Sequence, residues 1–213
     1  LGRHMKPILI LFAQNLAVSI YTNLDTIMLG FMKTDIDVGY YNAAIKIKTI
    51  LVSLVTSLGN VLLPRMSYYV EMRKEKEFMD MVQMALNFTM LLSAPLVVYF
   101  WIFSSETIRF LAGSGYDGAV SAMKIITVAV IPIGLTGILG IQVLTSIEKE
   151  KYVLYSVVIG AIVDFIFNLF MIPGFGAAGA ALATVIAEFV VLFIQLMYTK
   201  VLLKEVFLKL RWH

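Results

Sequence analysis

Several side chains in this sequence sit inside long apolar runs that would ordinarily exclude them: Asp25, Lys46, Asp164, Asn168, Thr184 and Glu188. An ionisable group surrounded by hydrocarbon is costly enough that it faces a cavity, a partner or an ion. Spacing sorts these residues into two groups. At about 100° per residue, Asn42, Lys46, Thr49, Ser53, Thr56, Ser57 and Asn60 share about 100° of one helix. Lys48 points roughly 200° away, among Ala44, Ile45, Val52 and Val55, and is close enough to the outer interface to snorkel. The stripe either lines a water-filled cavity or packs polar groups between helices, and Lys46 is its functional candidate.

The preceding apolar run has a broader polar sector, holding Gln14, Asn15, Ser19, Thr22, Asp25 and Thr26. A turn near residue 36 puts Asp25 about 11 residues before it and Lys46 about 10 after, at matching depth and within reach of an ion pair. A later hairpin, turning between Gly174 and Phe175, puts Asp164 and Thr184 each about ten residues from its tip. Asp164 and Asn168 share one helix face, as do Ala180, Thr184 and Glu188. Two carboxylates, an amide and a hydroxyl can then converge from three helices. Such oxygen ligands suit a hard cation, and they equally suit interhelical hydrogen bonds.

Other chemistries lack material. The chain has no cysteine, and its two histidines, His4 and His213, lie at opposite ends. That leaves nothing for disulfides, thiolate metal sites or histidine catalysis. A formal charge of +3, in short clusters between apolar runs, does not describe a nucleic-acid partner. Gly174-Phe175-Gly176-Ala177-Ala178-Gly179 matches a dinucleotide fingerprint only in letters, since no strand precedes it and no acidic partner follows at the required distance. Those small residues suit a tight turn and close helix packing, and Gly134, Gly137 and Gly140 form a similar small-residue face.

The elements that must position the polar groups follow from composition. Of 213 residues, 60% are hydrophobic and 15% charged, and the mean hydropathy is +0.89. A water-soluble fold of this size could not cover so much apolar surface. The sequence therefore predicts an all-α integral membrane protein with six transmembrane helices, at about 8–32, 39–64, 80–103, 119–146, 153–172 and 177–203. Pro7 opens the first, Pro64 and Pro173 close the second and fifth, and Pro95 and Pro132 predict kinks within the third and fourth.

Arg3, Lys6, Arg65, Arg73, Lys74, Lys76, Lys149, Lys151, Lys200, Lys204, Lys209 and Arg211 concentrate at both termini and alternate connections, which the positive-inside bias places in the cytoplasm. The opposite connections hold only Lys33 and Arg109. Tyr40, Tyr41, Tyr99 and Tyr116 fall near expected outer ends, and Tyr68, Tyr69, Tyr152, Tyr155 and Tyr198 near inner ones. The chain begins Leu-Gly-Arg-His without an initiator Met, and it reads as a piece of a longer protein.

Several segments together carry a family resemblance. Tyr21 to Gly30, Val38 to Lys46, Val61 to Ser67, Gly115-Tyr116, Gln142 to Leu144, Asn168 to Pro173 and Gly176 to Ala181 with Ala183-Thr184 resemble the Wzx-type polysaccharide repeat-unit flippases. These belong to the multidrug/oligosaccharidyl-lipid/polysaccharide exporter superfamily. The resemblance implies one lobe of a two-lobe transporter related to the multidrug and toxin extrusion proteins. The chain is similar to helices seven to twelve, the C-terminal lobe, with an N-terminal lobe as partner.

The implied activity is movement of undecaprenyl-diphosphate-linked oligosaccharide repeat units across the bacterial inner membrane by alternating access, in polysaccharide, capsule or O-antigen biosynthesis. Lys46 would meet the diphosphate, with Asn42, Thr49, Ser53, Asp25 and Gln14 as further substrate-binding candidates. Related lipid II flippases bind sodium in this lobe. The matching positions are Asp25, Asp164, Asn168, Thr184 and the Ala180 carbonyl, with the Asp164/Asn168 order reversed. Sodium or protons would be the coupling ion, Glu188 is a candidate for proton coupling, and no other cofactor is implied. A cation-coupled multidrug antiporter is the alternative within the superfamily. A membrane enzyme acting on polyprenyl glycans would need clustered acids, His or Arg at a surface, and the 104–118 connection offers only Glu106, Arg109 and Asp117.

Overall fold

The computed structural model describes residues 12, 16, 19, 23–57 and 59–211. The described residues contain helices and turns and no strand. The first hairpin joins α1, residues 23–32, to α2, Asp35–Thr56. Thr34 is extended and caps α2: its hydroxyl accepts from the Asp37 N–H at 3.4 Å and donates to the Asp37 carboxylate at 3.0 Å. Asp35 and Asp37 add negative charge at the positive end of the helix dipole. The chain thus reverses at Lys33–Thr34, earlier than residue 36. In the resulting register Thr26 donates to Asn42 at 3.5 Å, and Asp25 meets Tyr41.

Tyr41, Ala44, Ile47, Leu51 and Val55 recur every three or four residues and form the buried face of α2. α3, Gly59–Glu71, continues after a bend of 42°. Pro64 lies inside α3 rather than ending the span. α4, Glu75–Ile102, runs through Pro95 unbroken. α5, Ser104–Ala112, and a 3₁₀ turn at Ser114–Tyr116 make the next connection, in which Arg109 pairs with Asp117 at 2.9 Å.

α6, Ala119–Thr127, and α7, Val130–Thr136, are separated at Val128–Ala129, where short i→i−3 bonds replace the α pattern just before Pro132. The helix then widens into a π segment, Gly137–Leu144. α8, Glu150–Arg211, reverses at Gly176, whose φ of 54° and ψ of −131° leave the helical region. Tyr152 stacks on Tyr198 with ring centroids 4.6 Å apart, and Gln195 donates to Ser156 at 3.0 Å, so the arms run antiparallel. A side chain at Gly176 would meet the Asp37 carboxylate. Both hairpin turns therefore lie together at one end of the molecule.

Two apolar cores hold these elements. One joins Leu29, Tyr41, Leu51, Ile108, Met123, Ile126 and Ile172 near the hairpin turns. The other joins Met66, Phe78, Val143, Leu144 and Val153 near the basic connections. Outside them, large apolar side chains face outward, including Phe31, Phe110, Leu91 and Phe170. Such a surface needs lipid rather than water.

Glu75–Ile102, Ala119–Leu144 and Glu150–Val201 are each long and apolar enough to cross a membrane, and the bent α2–α3 pair makes a fourth candidate. Burial of only 22% of the apolar window in α4 puts that helix at the periphery. Most of the expected 8–32 span lies outside the described residues. The expected 153–172 and 177–203 spans are the two arms of α8.

Candidate functional site

Four helical segments bring their polar groups to one buried point. Asp25 comes from α1, Tyr41 from α2, Asp164 and Asn168 from the first arm of α8, and Thr184 from the second. One Asp25 oxygen accepts from Tyr41 and from Thr184, the latter at 2.9 Å. The other accepts from the Asn168 amide at 2.5 Å, and the same amide nitrogen reaches Asp164 at 3.2 Å. Thr184 and Tyr41 hydroxyls are 3.1 Å apart, and Thr184 also lies 3.1 Å from the Ala180 carbonyl. Asp25 is 3% exposed, and Asp164 and Asn168 are fully buried.

Asp25 and Asp164 both accept from the Asn168 amide nitrogen, which brings the two carboxylates together. Two adjacent carboxylates repel each other by about 4 kcal/mol at 4 Å in a medium of effective dielectric 20. A shared proton or a cation relieves that repulsion. The oxygen set fits a hard monovalent cation: two carboxylates, an amide, a hydroxyl and the Ala180 carbonyl. Asp164 Oδ1 and Asn168 Oδ1 are buried without any donor. These are the atoms a cation would satisfy, and a 180° turn of the Asn168 amide would add its oxygen to the cluster. No group of three or more His, Cys, Asp or Glu side chains forms a metal cluster among the described residues.

The polar stripe of α2 behaves differently. Lys46, Thr49 and Ser53 are exposed and Asn42 is half-buried. The Thr49 and Ser53 hydroxyls donate to carbonyls of their own helix, at 2.9 Å to Ile45 and 2.8 Å to Ile50. Lys46 and Asn42 line a cavity of about 510 Å³ with Tyr116 and Leu111. Gln14 lies outside the described residues, with Asn15 and Thr22.

Three expectations need correcting. No ion pair joins Asp25 and Lys46, because the Thr34 cap shifts the turn and brings Tyr41 opposite Asp25. Lys46 is also about 140° around α2 from Tyr41. Tyr41 is not an interfacial residue but is 1% exposed within the acid cluster. Lys48 does not snorkel to the outer interface. It is half-buried, lies near the Tyr41 face of α2, and lines a second cavity with Glu188. The overlooked signal was Thr34-Asp35-Ile36-Asp37, whose spacing follows the capping-box pattern and fixes the start of α2.

Ionisable side chains buried within apolar helices mark functional positions in membrane proteins, and here they lie between two hairpins. Comparison makes this specific: the chain belongs to the lipid II flippase MurJ family, whose model matches residues 3–211. It is 28% identical over 173 residues to an uncharacterized membrane protein of Methanocaldococcus jannaschii, covering 81% of this chain and 34% of the relative. It is 24% identical over 189 residues to an Escherichia coli protein named O-antigen transporter, covering 89% and 45% of the two chains. A Haloferax volcanii protein named as a low-salt glycan biosynthesis flippase is 23% identical over 167 residues, covering 78% and 35%. The chain spans less than half the length of these curated relatives. No solved structure matches it.

Proposed function

We propose that the full-length protein translocates undecaprenyl-diphosphate-linked oligosaccharide repeat units across the bacterial inner membrane, feeding polysaccharide, capsule or O-antigen assembly. This chain supplies the C-terminal six-helix lobe, which rocks against an N-terminal lobe in alternating access. Its termini and the 65–79 and 147–152 connections face the cytoplasm, in keeping with their lysine and arginine content. The observation that carries the reading is the exposed stripe of α2, where Lys46 stands beside Asn42 with Thr49 and Ser53 further along. A cation on an otherwise hydroxyl-rich face suits a diphosphate carrying hydroxylated sugars. Family membership and relatives named as glycan flippases support the substrate class.

The buried cluster is proposed as the coupling site. Asp25, Asp164, Asn168, Thr184 and the Ala180 carbonyl hold sodium or, with Glu188 nearby, a proton. The driving ion thus occupies the lobe interior while substrate occupies its outer face.

Glycan export by cells carrying the full-length protein tests the substrate role. Lys46→Ala is expected to abolish export and Lys46→Arg to retain a measurable fraction, because only the second keeps a cation. Leu54→Ala, an exposed apolar residue of α2 outside the cavity that Lys46 lines, should export normally. Full export by Lys46→Ala at normal expression overturns the diphosphate role.

A further inference from the structure

A second cavity, about 430 Å³, lies between α2, α7, the π segment and both arms of α8. Much of its wall is apolar, from Val52, Ile133, Ile138, Ile141, Val157 and Val191. Polar side chains break that wall: Lys48, Glu188, Gln142 and Gln195, with the hydroxyls of Thr49, Thr56 and Thr136. The two glutamines are 3% and 2% exposed, and each has an amide oxygen with no donor. Gln195 spends its N–H on Ser156 at 3.0 Å, which leaves its oxygen free for the cavity. A purely apolar cavity stays dry, but one with unpartnered buried acceptors, an ammonium and a carboxylate is wet. The volume holds on the order of ten waters.

The cavity also has a direction. At one end Glu188 is one helical turn beyond Thr184, and Lys48 lines the same cavity as Glu188. Toward the other end Gln195 and Ser156 stand about one turn from the Tyr152–Tyr198 stack, near Lys149 and Lys151. The π segment widens this wall and presents Gln142 across from Gly59, where any side chain would strike the amide. The polar groups therefore form a path between the acid cluster and the basic end of the molecule.

We propose that this cavity is an aqueous vestibule through which a monovalent cation exchanges between the Asp25–Asp164 cluster and the basic side of the membrane, with Lys48 as the tethered counter-charge that the cation displaces. The proposal rests on the coupling-site reading for its ion and deepens it by assigning a route and a competing charge. Without the cation, the Lys48 ammonium partly neutralises the cluster. With the cation bound, Lys48 turns toward Glu188 and the cavity water. The glutamine oxygens replace part of the ion's hydration on the way.

Cysteine accessibility tests the route in the full-length protein, in a cysteine-free background. Thr136→Cys and Val157→Cys place a thiol on the cavity wall, Lys74→Cys reports which side the basic end faces, and Leu91→Cys is a lipid-facing control. With a membrane-impermeant trimethylammonium thiosulfonate, both cavity cysteines should react from the side that labels Lys74→Cys, while Leu91→Cys stays unreactive. Lack of reaction at both cavity positions, or reaction only from the other side, overturns the vestibule.

Sodium-dependent shifts in melting temperature test the tethered charge. Lys48→Met should bind sodium about tenfold more tightly than wild type, and Lys48→Arg should resemble wild type. Unchanged or weakened sodium binding in Lys48→Met overturns the competition. If wild type shows no sodium response at all, the coupling-site reading and the Lys48 competition fail together, and the labelling still decides the route.

Discussion

The α1–α2 turn and the turn within α8 lie side by side, with Asp37 of the first against Gly176 of the second, yet they fix register by different means. The α8 turn depends on a positive φ that glycine adopts without a Cβ penalty. Its arms then close along Ser156–Gln195 and Tyr152–Tyr198, so Asp164, Asn168 and Thr184 are positioned by backbone geometry. The α1–α2 turn contains no positive φ and is held by the Thr34–Asp37 cap. Asp25 receives its place partly from that cap and partly from Tyr41, Asn168 and Thr184. It is the clasp between the two hairpins.

The largest effect should come from removing the carboxylate on the α8 side. Sodium at a hundred times its dissociation constant is expected to stabilise the purified full-length protein by about 2.7 kcal/mol through preferential binding to the folded state. Asp164→Ala should erase that gain, leaving melting curves that no longer depend on sodium. If sodium and potassium give identical curves in wild type and mutant, while acidification alters wild type only, the cluster carries a proton instead.

A smaller effect distinguishes the two faces of α2. Tyr41→Phe removes one donor to the Asp25 carboxylate and should lower stability by about 1.5–3 kcal/mol, the range for hydrogen bonds to charged groups. Lys46→Met, on the exposed face, should stay within about 0.5 kcal/mol. Unfolding titrations of both variants in detergent measure this contrast, and equal losses would mean that Tyr41 contributes nothing special to the clasp.

That contrast also shows what was legible in the sequence. The apolar runs at 80–103 and 119–146 follow α4 and the α6-to-π stretch closely, because length and hydropathy alone define a lipid-crossing helix. The last hairpin was readable because its glycines leave little choice of turn, so Asp164, Asn168 and Thr184 could be placed together. Lys46 and Tyr41 were confused because a small shift in the turn moves the opposite residue by several positions, and five positions rotate the face by about 140°. The break after Thr56 and the π segment at Gly137–Leu144 had no such signal. Both depend on how α2, α3 and α7 pack, with Gly134 against Val55 and Thr89 and Gly59 against Gln142, and packing of this kind is absent from periodicity.

The smallest expected effect is the sharpest test of the two turns, because it compares them directly. Gly176→Ala forces a side chain into the left-handed region at about 1–2 kcal/mol and drives its Cβ toward the Asp37 carboxylate, 2.5 Å away. Thr34→Ala removes a cap worth about 1 kcal/mol. Both should lower the unfolding midpoint, with Gly176→Ala the more severe. Their consequences for the cluster should differ in kind. Loosening the cap leaves the α8 ligands in register and shifts Asp25 alone, so sodium affinity falls several-fold while its saturating stabilisation persists. Strain at Gly176 displaces Asn168 and Thr184 together, so the saturating stabilisation itself declines. Equal sodium responses from the two variants would show that both hairpins adjust alike, and the clasp would then belong to neither.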